Sequence, residues 1–225
     1  MLSVDPTPES SSSSPDAGPD SAATSSPTST IASATESPRG TNGAGERGPV
    51  IEADQVSKSY DQGEVVALHE ASFRAEAGEF VVIMGPSGSG KSTLLHLLGT
   101  LDAPTSGEIR IHGEPVHRVR HLHLLRASTL GFVFQLHNLI PSLSLLDNVI
   151  VPMVPLGMSR REKRRRAEEA LDRVGLAHRL RHTPSKVSGG ERQRAAFARA
   201  LVNDPSIILG DEPTGSVDST TGDHL

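Results

Sequence analysis

The sequence predicts an α/β fold, and three patterns carry that prediction. A compact apolar run, Phe80 to Met84, ends at Gly85 and leads through a glycine-rich loop into a helix-forming stretch over Ser92 to Leu101. A second apolar run, Ile207 to Leu209, passes through Gly210 into the acidic pair Asp211 and Glu212. Between them, Ser159 to Val174 is rich in helix formers. A short β-branched and aromatic run bounded by glycine reads as a fully buried strand, so Phe80 to Met84 is expected to lie inside a sheet.

The chain of 225 residues divides sharply by composition. Residues 1–48 contain 29 Ser, Thr, Pro and Gly, with only Leu2, Val4 and Ile31 as larger aliphatics. Such a segment cannot bury enough apolar area to offset its chain entropy, and it is expected to be a disordered tail. Six acidic residues against Arg39 and Arg47 argue against a transit peptide, and the apolar core of a secretory signal is missing. Residues 49–225 then form one domain, in which Val65, Val66, Leu68 and Phe73 alternate with polar residues as strands do.

Charge and composition exclude several classes. With 22 Lys and Arg against 27 Asp and Glu, the net charge of −5 offers no basic excess for nucleic acid. The absence of Cys excludes disulfides, thiolate metal sites and a cysteine nucleophile, and suits a reducing cytosol. No run approaches the ~20 apolar residues of a helical membrane span, since Leu139 to Met153 is broken by Pro141 and Pro152. Arg160, Arg161, Lys163, Arg164, Arg165 and Arg166 could be taken for a lipid or nucleic-acid patch, but Glu162, Glu168 and Glu169 interleave with them and indicate a solvated helix face. His112, His117, His121 and His123 have no Cys and no acidic partner at helical spacing, so they do not read as a zinc site.

Residues 85–92 read Gly85-Pro86-Ser87-Gly88-Ser89-Gly90-Lys91-Ser92, followed by Thr93, and match the phosphate-binding loop in full. Glycines let successive N–H groups point inward at phosphate oxygens, while the helix beginning near Lys91 adds its positive N-terminal dipole. Lys91 would reach the β- and γ-phosphates, and the Ser92 hydroxyl would hold Mg²⁺. The bland alternative is a flexible Gly/Ser linker, but the loop sits between a strand pattern and a helix pattern, which is the context the chemistry needs.

About 100 residues later, Val187-Ser188-Gly189-Gly190-Glu191-Arg192-Gln193-Arg194 precedes the run that ends in Asp211, Glu212 and Pro213. Taken singly, Ser188 with Glu191 is an ordinary capping box, and the acidic pair is a solvated strand end. Together with the loop at Gly85 they resemble the signature and Walker B motifs of ATP-binding cassette (ABC) ATPases, in the family's order. Details such as Gly131-Phe132-Val133-Phe134-Gln135 and the stretch from Asn138 to Pro141 look most like the lipoprotein-releasing and macrolide-exporting branch.

The resemblance spans roughly residues 50–225 and implies roles for particular residues. Tyr60 matches the aromatic residue that stacks on adenine, Gln135 the glutamine that contacts Mg²⁺ or the attacking water, and Asp218 the D-loop aspartate. Glu212 would orient or deprotonate the water, and Asp211 would support Mg²⁺ with Ser92 and Gln135. Ser188, Gly189, Gly190 and Glu191 would act in trans, capping the γ-phosphate bound by a second ATP-binding subunit in a head-to-tail dimer. A separate transmembrane permease is implied as the other partner, placing the chain on the inner face of the membrane.

The implied fold is a P-loop NTPase, a RecA-like core with a small antiparallel β subdomain near residues 50–80 and a helical subdomain over about 136–187. The resemblance also implies that C-terminal strands are lacking. The family continues beyond the D-loop to a further strand and a switch histidine, whereas seven residues follow Asp218 and His224 comes too early for that role. The chain alone is therefore expected to aggregate and to hydrolyse little ATP; a nucleotide-binding but hydrolysis-deficient fragment or regulatory subunit is the alternative reading.

Overall fold

The structure, a computed structural model, describes residues 33–34 and 48–212. In chain order the strands are β1 (Ser33–Ala34), β2 (Ile51–Tyr60), β3 (Val65–Ala75), β4 (Val82–Ile83), β5 (Ser106–Ile111), β6 (Glu114–Pro115), β7 (Leu130–Val133) and β8 (Ile207–Gly210). The helices are α1 (Lys91–Leu98), α2 (Leu122–Thr129), α3 (Leu145–Ile150), α4 (Arg160–Arg173) and α5 (Gly189–Leu201).

β2 and β3 form a hairpin, with Ile51 opposite Ala75 and Tyr60 opposite Val65. The antiparallel sheet does not stop there. After α1 the chain returns to lay β5 along β2, with Ile51 opposite Ile111, and β6 follows, giving the order β3-β2-β5-β6. The unit expected near residues 50–80 thus draws strands from both sides of the phosphate loop. Gly107 allows the close approach of β5 to β2: a Cβ there would stand 2.6 Å from the Asp54 carbonyl oxygen, and its φ of +82° disfavours any other residue.

One core joins this sheet to the parallel part of the fold. Leu94, Leu97 and Leu98 of α1 are buried with Val56, Leu68, Ile109, Ile111, Leu130, Ile207 and Leu209. Leu97 is fully enclosed, so Leu97→Ala is expected to lower stability by about 2–5 kcal/mol, checked by urea unfolding. β7 and β8 are parallel, with Leu130 opposite Ile207 and Val133 opposite Gly210.

The strand ending at Met84 differs from expectation. Only Val82 and Ile83 are extended in a ladder, and Phe80, Val82 and Met84 are 75%, 44% and 58% exposed rather than buried. The physical reason is the absence of neighbours. Among the described residues β4 pairs only with β1, antiparallel, with Ser33 opposite Ile83 and Ala34 opposite Val82, and no ladder joins β4 to β8. Ile208 on β8 is likewise 54% exposed. β1 itself belongs to the segment whose composition predicts no structure.

A second core lies between α3, α4 and α5, where Leu145, Val149, Met153, Leu171, Leu176, Ala195 and Ala198 are buried together. Ser144 and Ser159 cap α3 and α4, each Oγ accepting the N–H three residues on, from Asp147 and Glu162. α4 buries only Ala167 and Leu171, and its basic run is a ladder of exposed ion pairs: Arg165 with Glu162 and Glu169, Arg166 with Glu162, Arg164 with Glu168. The Arg165 and Arg166 guanidinium groups hold the Glu162 carboxyl down to about 2.

The histidines are dispersed in use. His112 Nε2 lies 2.8 Å from Ser206 Oγ, His117 faces Glu108, and His121 meets His123 edge to face. Among the described residues no group of three or more His, Cys, Asp or Glu is placed to hold a metal, and no helix is long and apolar enough to cross a membrane.

Candidate functional site

The loop between β4 and α1 has the backbone shape that its glycines predict. Gly88 and Gly90 are left-handed, with φ of +79° and +89°. Gly90 is also wedged against β3, where a Cβ would stand 2.7 Å from the Ala67 carbonyl oxygen. Any side chain at 90 would therefore push the loop off the sheet. Lys91 opens α1 and folds back over the loop, its Nζ donating to the carbonyls of Gly85 at 2.9 Å and Pro86 at 2.7 Å. Both acceptors are neutral carbonyls, and an ammonium makes stronger hydrogen bonds to charged oxygens. Ser87 is exposed, and Ser89 places a buried hydroxyl inside the loop with no protein partner among the described residues. Thr93 lies one residue into α1 beyond Ser92 and is partly exposed.

The two acids arrive from the other strand. The Asp211 N–H donates to the Val133 carbonyl at 3.0 Å, tying the end of β8 to the end of β7. Ser92 Oγ then lies 3.4 Å from Asp211 Oδ1, a contact across 119 positions of sequence. Gln135, two residues beyond β7, donates from Nε2 to Glu212 Oε2 at 2.9 Å. Glu212 itself is exposed and left-handed, with φ of +44°. Four residues singled out separately in the sequence, Ser92, Gln135, Asp211 and Glu212, are thus joined pairwise beside the loop.

Tyr60 ends β2 opposite Val65, two positions from the Ala67 that Gly90 touches, a step of about 7 Å along a strand. Its hydroxyl donates to Asp102 Oδ2 at 3.0 Å, which raises the phenol above its ordinary value. Lys58 Nζ sits 5.0 Å from the ring centroid and 2.7 Å from Asp102 Oδ1, and holds that carboxyl below the usual range. Ring orientation is therefore set by two residues that sequence reading missed. Lys58, on the same strand face at i−2, carried a signal; Asp102, 42 positions away, did not.

Ser188 and Glu191 form the capping box in full. The Glu191 N–H donates to Ser188 Oγ at 3.2 Å, and the Ser188 N–H donates to Glu191 Oε2 at 2.8 Å. That backbone bond, with Arg179 Nε at 3.0 Å from Oε1, holds the Glu191 carboxyl low. Capping uses the Ser188 oxygen as acceptor and leaves its O–H available, while Gly189 and Gly190 supply first-turn N–H groups with no partner in their own helix. Asp218 and His224 lie outside the described residues.

The geometry agrees with what the chain is similar to. A family model described as ABC transporter matches residues 68–215. An uncharacterized ABC transporter ATP-binding protein of Thermotoga maritima is 53% identical over 180 residues, which are 78% of this chain and 77% of that protein. The lipoprotein-releasing system ATP-binding protein LolD of Shewanella denitrificans is 45% identical over the same shares of the two chains. Among solved structures, the dimeric ATP-binding cassette MJ0796 in a post-hydrolysis state bound to ADP and Pi superposes with a TM-score of 0.70 at 44% identity, covering 77% of this chain and 78% of its own. A P-loop NTPase core, the joined acids beside its loop and relatives at this identity together place the chain in the ABC transporter family, among its ATP-binding proteins.

Proposed function

We propose that the chain is the ATP-binding subunit that hydrolyses ATP to drive a separate membrane permease. The observation that carries this is the convergence of Ser92 with Asp211 and of Gln135 with Glu212 beside the loop closed by Lys91. The loop N–H groups and the Lys91 ammonium bind the phosphates, and Tyr60 offers its exposed ring to the base. The hydroxyl of Ser92, the carboxylate of Asp211 and the amide oxygen of Gln135 are hard oxygen donors of the kind Mg²⁺ takes. Ser92, Asp211 and Gln135 would hold Mg²⁺ there, and the ion would supply positive charge against the negative charge developing on the transferring phosphoryl group.

Glu212 accepts the proton of the attacking water, and the Gln135 amide fixes which carboxylate oxygen is free to do so. Ser188, Gly189 and Gly190 present an O–H and two N–H groups at the start of α5, suited to the γ-phosphate of a facing subunit. The Arg179 guanidinium, 3.0 Å from Glu191 Oε1, offsets the negative charge that this carboxylate would set beside that phosphate. On the other side of β7 an open, mainly apolar groove of about 380 Å³, lined by Leu101, Phe132, Phe134, Val151, Pro152 and Pro155, fits a permease segment. The chain would then sit peripherally on the membrane that holds its permease.

The experiment is Mg-ATP turnover by the membrane complex purified through a tag on this chain. A complex that hydrolyses ATP only with intact Lys91 and Glu212 supports the proposal, and one without turnover overturns it. Tyr60→Ala is expected to weaken ATP binding roughly 5- to 100-fold by calorimetry, as for other base–aromatic stacking. Tyr60→Phe loses the Asp102 hydrogen bond but keeps the ring, and is expected to bind nearly as well as wild type.

A further inference from the structure

Two residues beyond Gln135, the chain leaving β7 makes an unfavourable turn. His137 and Asn138 are left-handed in succession, with φ of +62° and +46°, a conformation L-residues with side chains adopt reluctantly. Local bonds from the His137 N–H to the Phe134 carbonyl and from the Asn138 N–H to the Leu136 carbonyl close it. The carbonyls of the same two residues are taken by a single guanidinium: Arg199 donates from Nη2 to His137 at 2.7 Å and from Nη1 to Asn138 at 2.6 Å. The far end of the segment is held separately by Asn148, which accepts the Ile140 N–H at 2.7 Å and donates to the Ile140 and Ser144 carbonyls.

Arg199 lies near the C-terminal end of α5, and its surroundings are unusual for an arginine. Burial lowers its guanidinium from the ordinary value, and among the described residues no carboxylate pairs with it. Arg199 is half-buried, and its guanidinium is given carbonyls rather than a carboxylate, so its contribution is to be sought in what it holds. A planar two-pronged donor matches two adjacent carbonyls in a way that an ammonium does not.

We infer that Arg199 is a positioning residue: its guanidinium holds the 137–138 turn left-handed and so keeps Gln135 against Glu212. The link from that turn to catalysis rests on the proposed hydrolysis, whereas the link from Arg199 to the turn does not.

Amide hydrogen exchange on the full chain tests the second link. Arg199→Gln is expected to speed exchange across residues 135–140 about tenfold or more while buried amides early in α5 keep their protection. Arg199→Lys, which can bridge only one carbonyl, falls between. Adding Asn138→Gly to Arg199→Gln removes the conformational penalty at one turn position and restores part of the protection, a rescue that a merely structural arginine would not show. Exchange at 135–140 equal to wild type overturns the inference. So does loss of protection spread evenly through α5; if Arg199→Gln does not fold, Arg199→Lys decides by the same criterion.

Turnover of the tagged membrane complex tests the first link. The kcat of Arg199→Lys is expected to fall about tenfold with a much smaller change in KM for ATP, since Gln135 is displaced and the phosphate loop is not. An unchanged kcat beside faster loop exchange overturns the catalytic part. A wild-type complex with no turnover defeats the hydrolysis reading and that part with it, and the exchange comparison still decides whether Arg199 holds the turn.

Discussion

Lys91→Ala is expected to lower ATP affinity by about two to four orders of magnitude, measured by titration calorimetry. Charge-assisted hydrogen bonds contribute roughly 1.5–3 kcal/mol each, and a lysine reaching two phosphates makes at least two, against about 1.4 kcal/mol per tenfold in affinity. Folding should be nearly unaffected. The carbonyls of Gly85 and Pro86 that Nζ occupies belong to exposed residues and can turn to water when the side chain is removed. A melting temperature close to wild type beside a collapsed affinity separates a ligand-binding role from a structural one. Equal affinity in the two proteins would remove the basis for reading this loop as a phosphate site.

Glu212→Gln is expected to cut hydrolysis by the membrane complex by about 10²–10⁴, the usual contribution of a general base. The geometry should survive, because the new amide oxygen can still accept from Gln135 Nε2 at the position now 2.9 Å away. ATP binding and ATP-dependent association of two chains should therefore persist or increase, and gel filtration with Mg-ATP reads this directly. Wild-type turnover in this variant would reduce Glu212 to a solvated strand end.

The phosphate loop, β8 and the capping box were legible because each is a pattern of neighbours: glycine spacing, a strand with its acidic end, a serine three residues before a glutamate. What escaped depends on contacts between distant residues. β5 was not anticipated as part of the antiparallel sheet, since Ser106 to Ile111 is short and mostly polar, and only its pairing with β2 makes Ile109 and Ile111 core residues. The burial expected at Phe80 to Met84 failed for the converse reason, because an apolar run states what a strand could bury and not whether a neighbour covers it. Arg199 and Asn148 were invisible because they act on backbone carbonyls, which every residue has, at separations up to 62 positions. Within the site, sequence order pointed to Ser92, Gln135, Asp211 and Glu212 individually; only the fold shows that they bond in pairs.

The sheet built from both sides of the phosphate loop has a consequence for how the chain acquires its structure. Residues 76–105, 30 in all, leave the sheet after β3 and return to it as β5, so the loop and α1 ride on an excursion closed at both ends by β2. Closing a segment of that length costs only slightly more than closing one of half the length, and it is met once, when β5 docks. During synthesis β2 and β3 can pair as soon as they emerge, but the antiparallel sheet waits until residue 111 has followed. From that moment the phosphate loop is tethered on both flanks before any nucleotide arrives, so ligand binding need order only the few residues between β4 and α1.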